Sequence, residues 1–118
     1  DYALQPDGSD GAYPYAAGLR WHLDISKPMG ERLSGMEFKG RDDNSWMPLG
    51  MNTSYTLVTN NYVAGGRDGY LSFKTVKNDG RYVDTYLDYA QSFVDYVEER
   101  GTITKLPASE YSTQSITR

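Results

Sequence analysis

Hydrophobic and polar residues alternate just after residue 18, and this alternation is the clearest strand signal in the chain. Leu19, Trp21, Leu23 and Ile25 share one face of an extended backbone, because side chains two positions apart point the same way. The residues between them are polar or charged, so the opposite face suits solvent. A half-buried strand is therefore predicted here.

More extended segments follow, separated by turn residues. A second strand is predicted at about residues 32–39, with Leu33, Met36 and Phe38 facing inward and Gly35 marking a bulge. Residues 70–76 are short and apolar and fit either a helical turn or a strand. Further extended segments are predicted from aromatic and β-branched content at residues 45–49, 54–59 and 102–106.

One helix is predicted, over residues 84–100, because apolar residues recur there at spacings of three and four. Asp84 stands where an N-cap belongs and Gly101 where a C′ residue belongs. The apolar stripe is expected to pack against the sheet rather than to bind a cofactor. Its members are Tyr86, Leu87, Ala90, Phe93, Val94 and Val97.

Strands that precede a helix, with short turns between them, predict an α+β fold. Its sheet is expected to be largely antiparallel or mixed, packed against the long helix at about 84–100. A length of 118 residues predicts a single domain, 1–118. Residues 1–17 carry turn residues without periodicity and predict a loop lead-in. The Ser/Thr-rich residues 107–118 predict a flexible tail.

Composition removes several functional classes. The net charge is −4 without a long basic run, which argues against a nucleic-acid polymer as partner. No apolar stretch approaches 18 residues, so no membrane span is predicted. The absence of cysteine excludes disulfides and thiolate metal sites. The chain begins at Asp1 without Met, in a polar segment rich in Gly, Pro and Asp, so we expect a piece of a longer protein. The absence of a visible signal peptide therefore says nothing about where that protein is located.

The sequence also lacks a recognisable set of catalytic or metal-binding residues. The single histidine, His22, lies in the middle of the alternating strand, and no His/Asp/Glu cluster has metal-ligand spacing. The serines have no nearby base, and Asp42 and Asp43 fit a solvated turn. No catalytic or metal-binding residue is predicted, so enzyme activity of this chain alone stays open.

The most informative stretch is T-N-N-Y-V-A-G-G-R-D-G-Y, residues 59–70. Tyr62 offers a stacking face, and the adjacent glycines allow close approach of the backbone. The Asp68 carboxylate can accept hydrogen bonds from two hydroxyl groups. These features suit a flat, polar ligand such as a nucleoside. The alternative is structural, with Tyr62 a core side chain at a strand end and Asp68 a turn residue before Gly69.

Four runs of sequence resemble the C-terminal domain of the 5′-nucleotidases, a family that includes UDP-sugar hydrolases and periplasmic NAD nucleotidases. The resemblance covers roughly residues 13–100. The runs are G-L-R-W-H-L-D-I-S-K-P (18–28), G-E-R-L (30–33), Y-T-L-V-T-N-N-Y-V-A (55–64) and D-G-Y (68–70).

The resemblance implies a division of labour between two domains. In the family, an N-terminal metallophosphoesterase domain holds two divalent metal ions and a catalytic Asn-His pair. The C-terminal domain grips the nucleoside and rotates it toward the metals. The chain would be the later part of that C-terminal domain, in a parent hydrolase acting on nucleotides of the AMP, NAD or UDP-sugar class. The implied location is periplasmic or extracellular.

The resemblance also assigns roles to residues. Tyr62 falls on one of two aromatics that sandwich the base, and Asp68 on the carboxylate that binds the ribose hydroxyls. Asn61, Gly66 and Arg67 complete the predicted substrate-binding set. The second aromatic, and the Asn and Arg residues that complete the family's pocket, belong to sequence that precedes this chain.

Arg67 departs from the family pattern, which usually reads Gly-Gly-Asp-Gly where this chain has Gly-Gly-Arg-Asp-Gly. If the replaced glycine needs positive φ, arginine costs backbone energy of about 1 kcal/mol. We hypothesise that Arg67 reaches a second phosphate or sugar and favours dinucleotides such as NAD. The alternative is an arginine that faces solvent.

A function from another class fits the same residues. The chain would then be a non-catalytic ligand-binding or interaction module that retains the fold. The coding sequence upstream of Asp1 discriminates between the two, because D-x-H and N-H-E metal-ligand motifs there would indicate the enzyme.

Overall fold

The computed structural model describes all 118 residues and divides the chain into two compact units. The first unit comprises Asp1–Thr56 and Leu106–Arg118, and the second comprises Leu57–Lys105. The single domain predicted over 1–118 stays a prediction, with these two units inside it.

The first unit is built on a four-stranded sheet. Strand β2 pairs antiparallel with β1 and β3, whereas β4 pairs parallel with the other edge of β1, which gives the order β3-β2-β1-β4. The strands are β1 (Leu19–Asp24), β2 (Leu33–Phe38), β3 (Met47–Pro48) and β4 (Thr113–Thr117). The mixed sheet confirms the predicted fold class.

The alternation in β1 is confirmed by burial. Trp21 and Leu23 are 5% and 4% exposed, and His22 between them is exposed. Ala12 joins them in the core of this unit. Removing these apolar surfaces from water is the main stabilising contribution that this sheet can make.

The predicted bulge in β2 is also present. Arg20 lies opposite Glu37 and His22 opposite Ser34, so β2 uses one more residue than β1 over this stretch. Gly35 adopts φ +56°, and a Cβ there would approach His22 Cδ2 to 2.7 Å. A glycine is therefore required by both the backbone and the neighbouring imidazole.

Strand β4 overturns the prediction of a flexible tail over 107–118. Thr113 pairs with Trp21 and Thr117 with Asp24, and Trp21 N–H donates to the Ser112 carbonyl oxygen at 2.8 Å. Ser112 itself is buried. The Ser/Thr-rich composition is compatible with a strand because threonine is β-branched, and the partner strand lies too far away in sequence to be visible locally.

Two cationic side chains lie over the ring of Trp46, and one of them pairs with the segment that precedes β4. Arg20 Cζ and Lys39 Nζ lie 4.4 Å and 4.9 Å from the Trp46 ring centroid. Arg20 also pairs with Glu37 at 2.7 Å, and Lys39 pairs with Glu110 in the turn before β4. Each such contact is worth about 0.5–1 kcal/mol at a partly exposed surface.

Two strand predictions are wrong. Residues 54–59 and 102–106 form no ladder, and Val58 is 90% exposed. High β-propensity favours a strand only where a partner edge is available. The inward set of β2 is only partly confirmed, because Met36 and Phe38 are half-buried while Leu33 is 47% exposed.

The lead-in, residues 1–17, contains two 3₁₀ turns, Tyr2–Leu4 and Asp10–Ala12. It is attached to the turn before β2 through Asp1, whose carboxylate accepts from Gly30 N–H at 2.8 Å and pairs with Arg32 at 3.5 Å.

The second unit is helical. It contains α1 (Asn61–Ala64), a 3₁₀ turn at Arg67–Gly69, α2 (Leu71–Asn78) and α3 (Tyr89–Arg100). Residues 70–76, for which a helical turn and a strand were both open, are helical from Leu71 onward. None of these helices has the length and apolar content needed to cross a membrane.

Helix α3 begins later than predicted. Its N-cap is Asp88, whose carboxylate accepts a hydrogen bond from the backbone N–H three residues on at 2.8 Å. Asp84 instead accepts from Tyr86 N–H at 2.9 Å in a local turn, and Tyr86 has a positive φ of 54°. The predicted C-terminal end is confirmed, since Gly101 follows the last helical residue with φ +72°.

The prediction that the apolar stripe of this helix is buried core is wrong for this chain. Leu87, Phe93 and Val94 are 75%, 63% and 44% exposed, and Val97 is half-buried. Periodicity identifies an apolar face of a helix but does not specify which surface covers it.

Candidate functional site

The predicted site is built on α1, a single helical turn in the second unit. Asn60 caps this turn, because its Oδ1 accepts a hydrogen bond from Val63 N–H at 2.9 Å. Gly65 ends it, and its N–H donates to the carbonyl oxygen of Asn61 at 2.9 Å. Tyr62 is therefore fixed at the second position of a capped turn, with its side chain 52% exposed.

The structure brings Tyr62 and Asp68 into contact. Tyr62 Oη donates a hydrogen bond to Asp68 Oδ1 at 3.1 Å. Asp68 is half-buried, whereas the tyrosine keeps about half of its surface accessible. The tyrosine and the carboxylate singled out in the sequence are thus joined by a hydrogen bond.

Left-handed backbone aims the carboxylate at the tyrosine. Gly66, Asp68 and Gly69 adopt φ values of +83°, +54° and +80°, so the chain reverses within a few residues. Asp is one of the few non-glycine residues that enters this region readily. Gly66 has a second requirement, because a Cβ there would lie 2.7 Å from Lys74 Cβ in α2.

The backbone cost expected at Arg67 is absent. Arg67 is not among the residues with positive φ, and Asp68, the next residue, takes the left-handed conformation instead. Arg67 is the first residue of the 3₁₀ turn Arg67–Gly69. The arginine side chain is exposed and takes part in none of the ion pairs of the chain.

Tyr70 is a neighbour of the site that sequence reasoning missed. Its ring stacks on Phe73 with centroids 5.4 Å apart and planes at 21°. Partial burial, followed by the negative charge of Asp68, raises the pKa of the Tyr70 hydroxyl above its usual value. Both effects favour the neutral hydroxyl over the phenolate. The sequence signal that could have identified Tyr70 is its position directly after Asp68 and Gly69.

Of the remaining predicted residues, Asn61 has an exposed side chain at the start of α1, next to Tyr62. The capping role belongs to its neighbour Asn60, which was not predicted and which a Ser/Thr/Asn/Asp N-cap rule could have identified. The side-chain carbons of Lys74 in α2 lie against Gly66.

Other chemistry-bearing groups lie in the first unit. His22 Nδ1 and Ser115 Oγ are 2.8 Å apart on the exposed face of the sheet. A shallow open depression of about 340 Å³ is lined by Ala17, Gly18, Lys39, Gly40 and Arg41 and contains none of the predicted substrate-binding residues. No group of three or more His, Asp or Glu side chains in the chain could hold a metal ion.

Comparison with known proteins gives a consistent result. The family model described as 5′-nucleotidase, C-terminal domain, matches residues 2–77. The chain is 42% identical over 96 residues to the NAD 5′-nucleotidase of Haemophilus influenzae, which covers 79% of the chain and 16% of that protein. It is 34% identical over 92 residues to a Treponema pallidum protein named "Probable 5′-nucleotidase", which covers 77% of the chain and 15% of that protein.

A solved structure agrees with this assignment. The structure of the NAD nucleotidase of Haemophilus influenzae matches with a TM-score of 0.80 at 35% identity, over 96% of this chain and 20% of that one. The chain thus spans about a sixth to a fifth of the length of these relatives. Because the family model matches more than half of the residues, the chain belongs to the 5′-nucleotidase C-terminal domain family.

Proposed function

We propose that this chain is the nucleoside-binding portion of a 5′-nucleotidase-type metallophosphoesterase. The observation that carries the proposal is the 3.1 Å contact between Tyr62 Oη and Asp68 Oδ1. In a nucleoside the base and the ribose are joined by one covalent bond. A stacking face and an acceptor for the ribose hydroxyls must therefore lie within a few ångströms of each other, as these two side chains do.

The two residues bind different parts of the ligand. The exposed ring of Tyr62 stacks on the base, an interaction worth about 1–3 kcal/mol. Asp68 accepts hydrogen bonds from the ribose 2′- and 3′-hydroxyls, since each carboxylate oxygen has two acceptor positions and the tyrosine occupies one. Gly66 allows the backbone to approach the ligand, and Asn61 offers an amide beside the stacked ring.

Bond cleavage belongs to another part of the parent protein, by which we mean the longer protein that contains this chain. The residues present here do not form a metal site. A missing N-terminal domain with two divalent metal ions would hydrolyse the phosphate ester or pyrophosphate. We propose a nucleotide substrate of the AMP, NAD or UDP-sugar class and a role in nucleotide breakdown. The names of the relatives, NAD 5′-nucleotidase and Probable 5′-nucleotidase, support a nucleotide substrate. We place the parent protein in the periplasm or outside the cell.

Hydrolysis assays on two proteins test this division. We expect the parent protein to release phosphate from AMP in the presence of Mn²⁺, and the isolated 118-residue chain to release none. Turnover by the isolated chain would contradict the proposal, because it would require catalytic groups here. A parent protein that binds AMP without hydrolysing it, and whose upstream sequence lacks D-x-H and N-H-E motifs, would be the non-catalytic module.

We further propose that Arg67 favours dinucleotides, because this exposed residue precedes Asp68 in the sequence and takes part in none of the ion pairs of the chain. A charge-assisted hydrogen bond to a second phosphate or sugar would contribute about 1 kcal/mol at such an exposed position. Arg67→Ala in the parent protein is expected to lower the ratio of NAD to AMP turnover about fivefold.

The matched control for Arg67 is Arg81→Ala, which removes another exposed arginine of the same unit, one that pairs with Asp79 at 3.3 Å. It is expected to leave the ratio of the two kcat/KM values unchanged. If Arg67→Ala behaves like this control, the arginine faces solvent and has no part in substrate choice.

A further inference from the structure

We propose that the hydroxyl of Tyr62 is a positioning group that orients the Asp68 carboxylate and thereby sets the preference for ligands with a ribose diol. The inference rests on the proposed function, and it separates two roles within one side chain. The ring would bind the base, whereas the hydroxyl would act only through the aspartate.

Geometry separates the two roles. The hydrogen bond to Asp68 Oδ1 uses the Oη atom at the tip of the tyrosine, and both faces of the ring lie outside that bond. A phenylalanine would present the same ring for stacking and would lack the donor. Since α1 is capped by Asn60 and closed by the Gly65 N–H, the backbone at Tyr62 is held by hydrogen bonds that do not involve its hydroxyl.

The orientation of Asp68 depends on this donor. Asp68 takes part in none of the ion pairs of the chain, and its neighbour Arg67 does not pair with it. Its backbone is left-handed within the 3₁₀ turn Arg67–Gly69, and the residue is half-buried, so its side chain keeps some access to solvent. Tyr62 Oη is the side-chain donor that meets its carboxylate.

Holding one carboxylate oxygen matters for a diol in particular. Adjacent ribose hydroxyls donate two hydrogen bonds at once, and both form only if the plane of the carboxylate is correctly oriented. With Oδ1 held by the tyrosine, the second oxygen and the remaining acceptor positions face the ligand in one arrangement. A ligand without the diol gains nothing from this arrangement. The preorganisation of one side chain is expected to change affinity about threefold to tenfold.

The test measures dissociation constants of adenosine and 2′,3′-dideoxyadenosine with the parent protein and its Tyr62→Phe, Tyr62→Ala and Asp68→Ala variants. For Tyr62→Phe we expect the dideoxynucleoside to bind within about twofold of wild type, while the preference for adenosine falls about threefold to tenfold. Tyr62→Ala is expected to weaken both ligands. Tyr89→Phe, at a tyrosine that is 76% exposed at the start of α3, is the matched control.

The possible outcomes distinguish failure of this inference from failure of the proposed function on which it rests. If Tyr62→Phe keeps the wild-type diol preference while Asp68→Ala abolishes it, the positioning role is wrong and the proposed function stands. If the wild type binds both nucleosides equally and Asp68→Ala changes nothing, the proposed function fails and the inference with it.

A ligand-free measurement tests the same contact in the isolated chain. Three-bond couplings about χ1 of Asp68, measured by NMR, are expected to report one dominant rotamer in the wild type and averaged rotamers in Tyr62→Phe. Unchanged couplings in the variant would overturn the positioning role whatever the nucleosides do.

Discussion

Replacing Tyr62 with alanine in the parent protein is expected to raise KM for AMP roughly 5- to 150-fold, with little change in kcat. The range corresponds to the loss of about 1–3 kcal/mol of base stacking. Because the ring contacts the base and not the reacting phosphate, the ground state and the transition state lose the same interaction. Steady-state kinetics over a wide AMP range separates the two parameters.

The control for this substitution is Tyr89→Ala, which also removes an exposed tyrosine from the first turn of a helix in the same unit. Neither residue is buried, so thermal unfolding is expected to move by only a few degrees in either variant. An unaltered KM in Tyr62→Ala, with both proteins folded, would remove the stacking assignment. A fall in kcat without a change in KM would instead place Tyr62 in the chemical step.

Much of the first unit was predictable because its signals are local. The alternation of Leu19, Trp21 and Leu23 predicts which face of β1 is buried, and the low exposure of Trp21 and Leu23 confirms it. Gly35 interrupts the second strand where the register shifts, and its positive φ explains why a glycine stands there. Both features depend on neighbouring residues alone.

Strand β4 was not predictable in the same way. It pairs with β1 across roughly 90 residues, and no local pattern identifies Thr113–Thr117 as the partner. The segment at 54–59 shows the opposite error, since Tyr55, Leu57 and Val58 have high β-propensity and yet no strand forms. Strand formation is decided by the availability of an edge, which a single sequence does not encode locally.

Two residues predicted for the candidate site are in contact in the structure, but the sequence did not predict the backbone that holds them. The motif identified Tyr62 and Asp68, and the structure places them in contact. It did not identify Asn60 as the cap of α1, nor Tyr70 as a neighbour of the carboxylate. The conformational cost expected at Arg67 falls on Asp68 instead. Spacing in a sequence indicates which groups are near one another, whereas φ values depend on how the whole turn closes.

The left-handed conformation of Asp68 affects how its role can be tested. Alanine lacks the local hydrogen bonding that lets Asp and Asn occupy this region, so Asp68→Ala combines the loss of the carboxylate with a backbone cost of about 1 kcal/mol. Asp68→Asn keeps a residue that tolerates the conformation, removes the charge and replaces one acceptor oxygen with an amide group that donates. Comparing the two variants separates ligand binding from the stability of the turn.

Asp68→Ala in the parent protein is expected to raise KM for AMP roughly 10- to 150-fold, because hydrogen bonds to a charged acceptor are worth about 1.5–3 kcal/mol. The loss should be largest for substrates with an intact 2′,3′-diol and should nearly vanish for 2′,3′-dideoxy-AMP, which has no hydroxyl to donate. Asp68→Asn should show the same substrate dependence with a smaller change in thermal stability. Asp79→Ala, which removes a carboxylate paired with Arg81 in the same unit, provides the control and should leave KM unchanged. An equal loss for the diol and the dideoxy substrate would mean that Asp68 shapes the turn and does not contact the ribose.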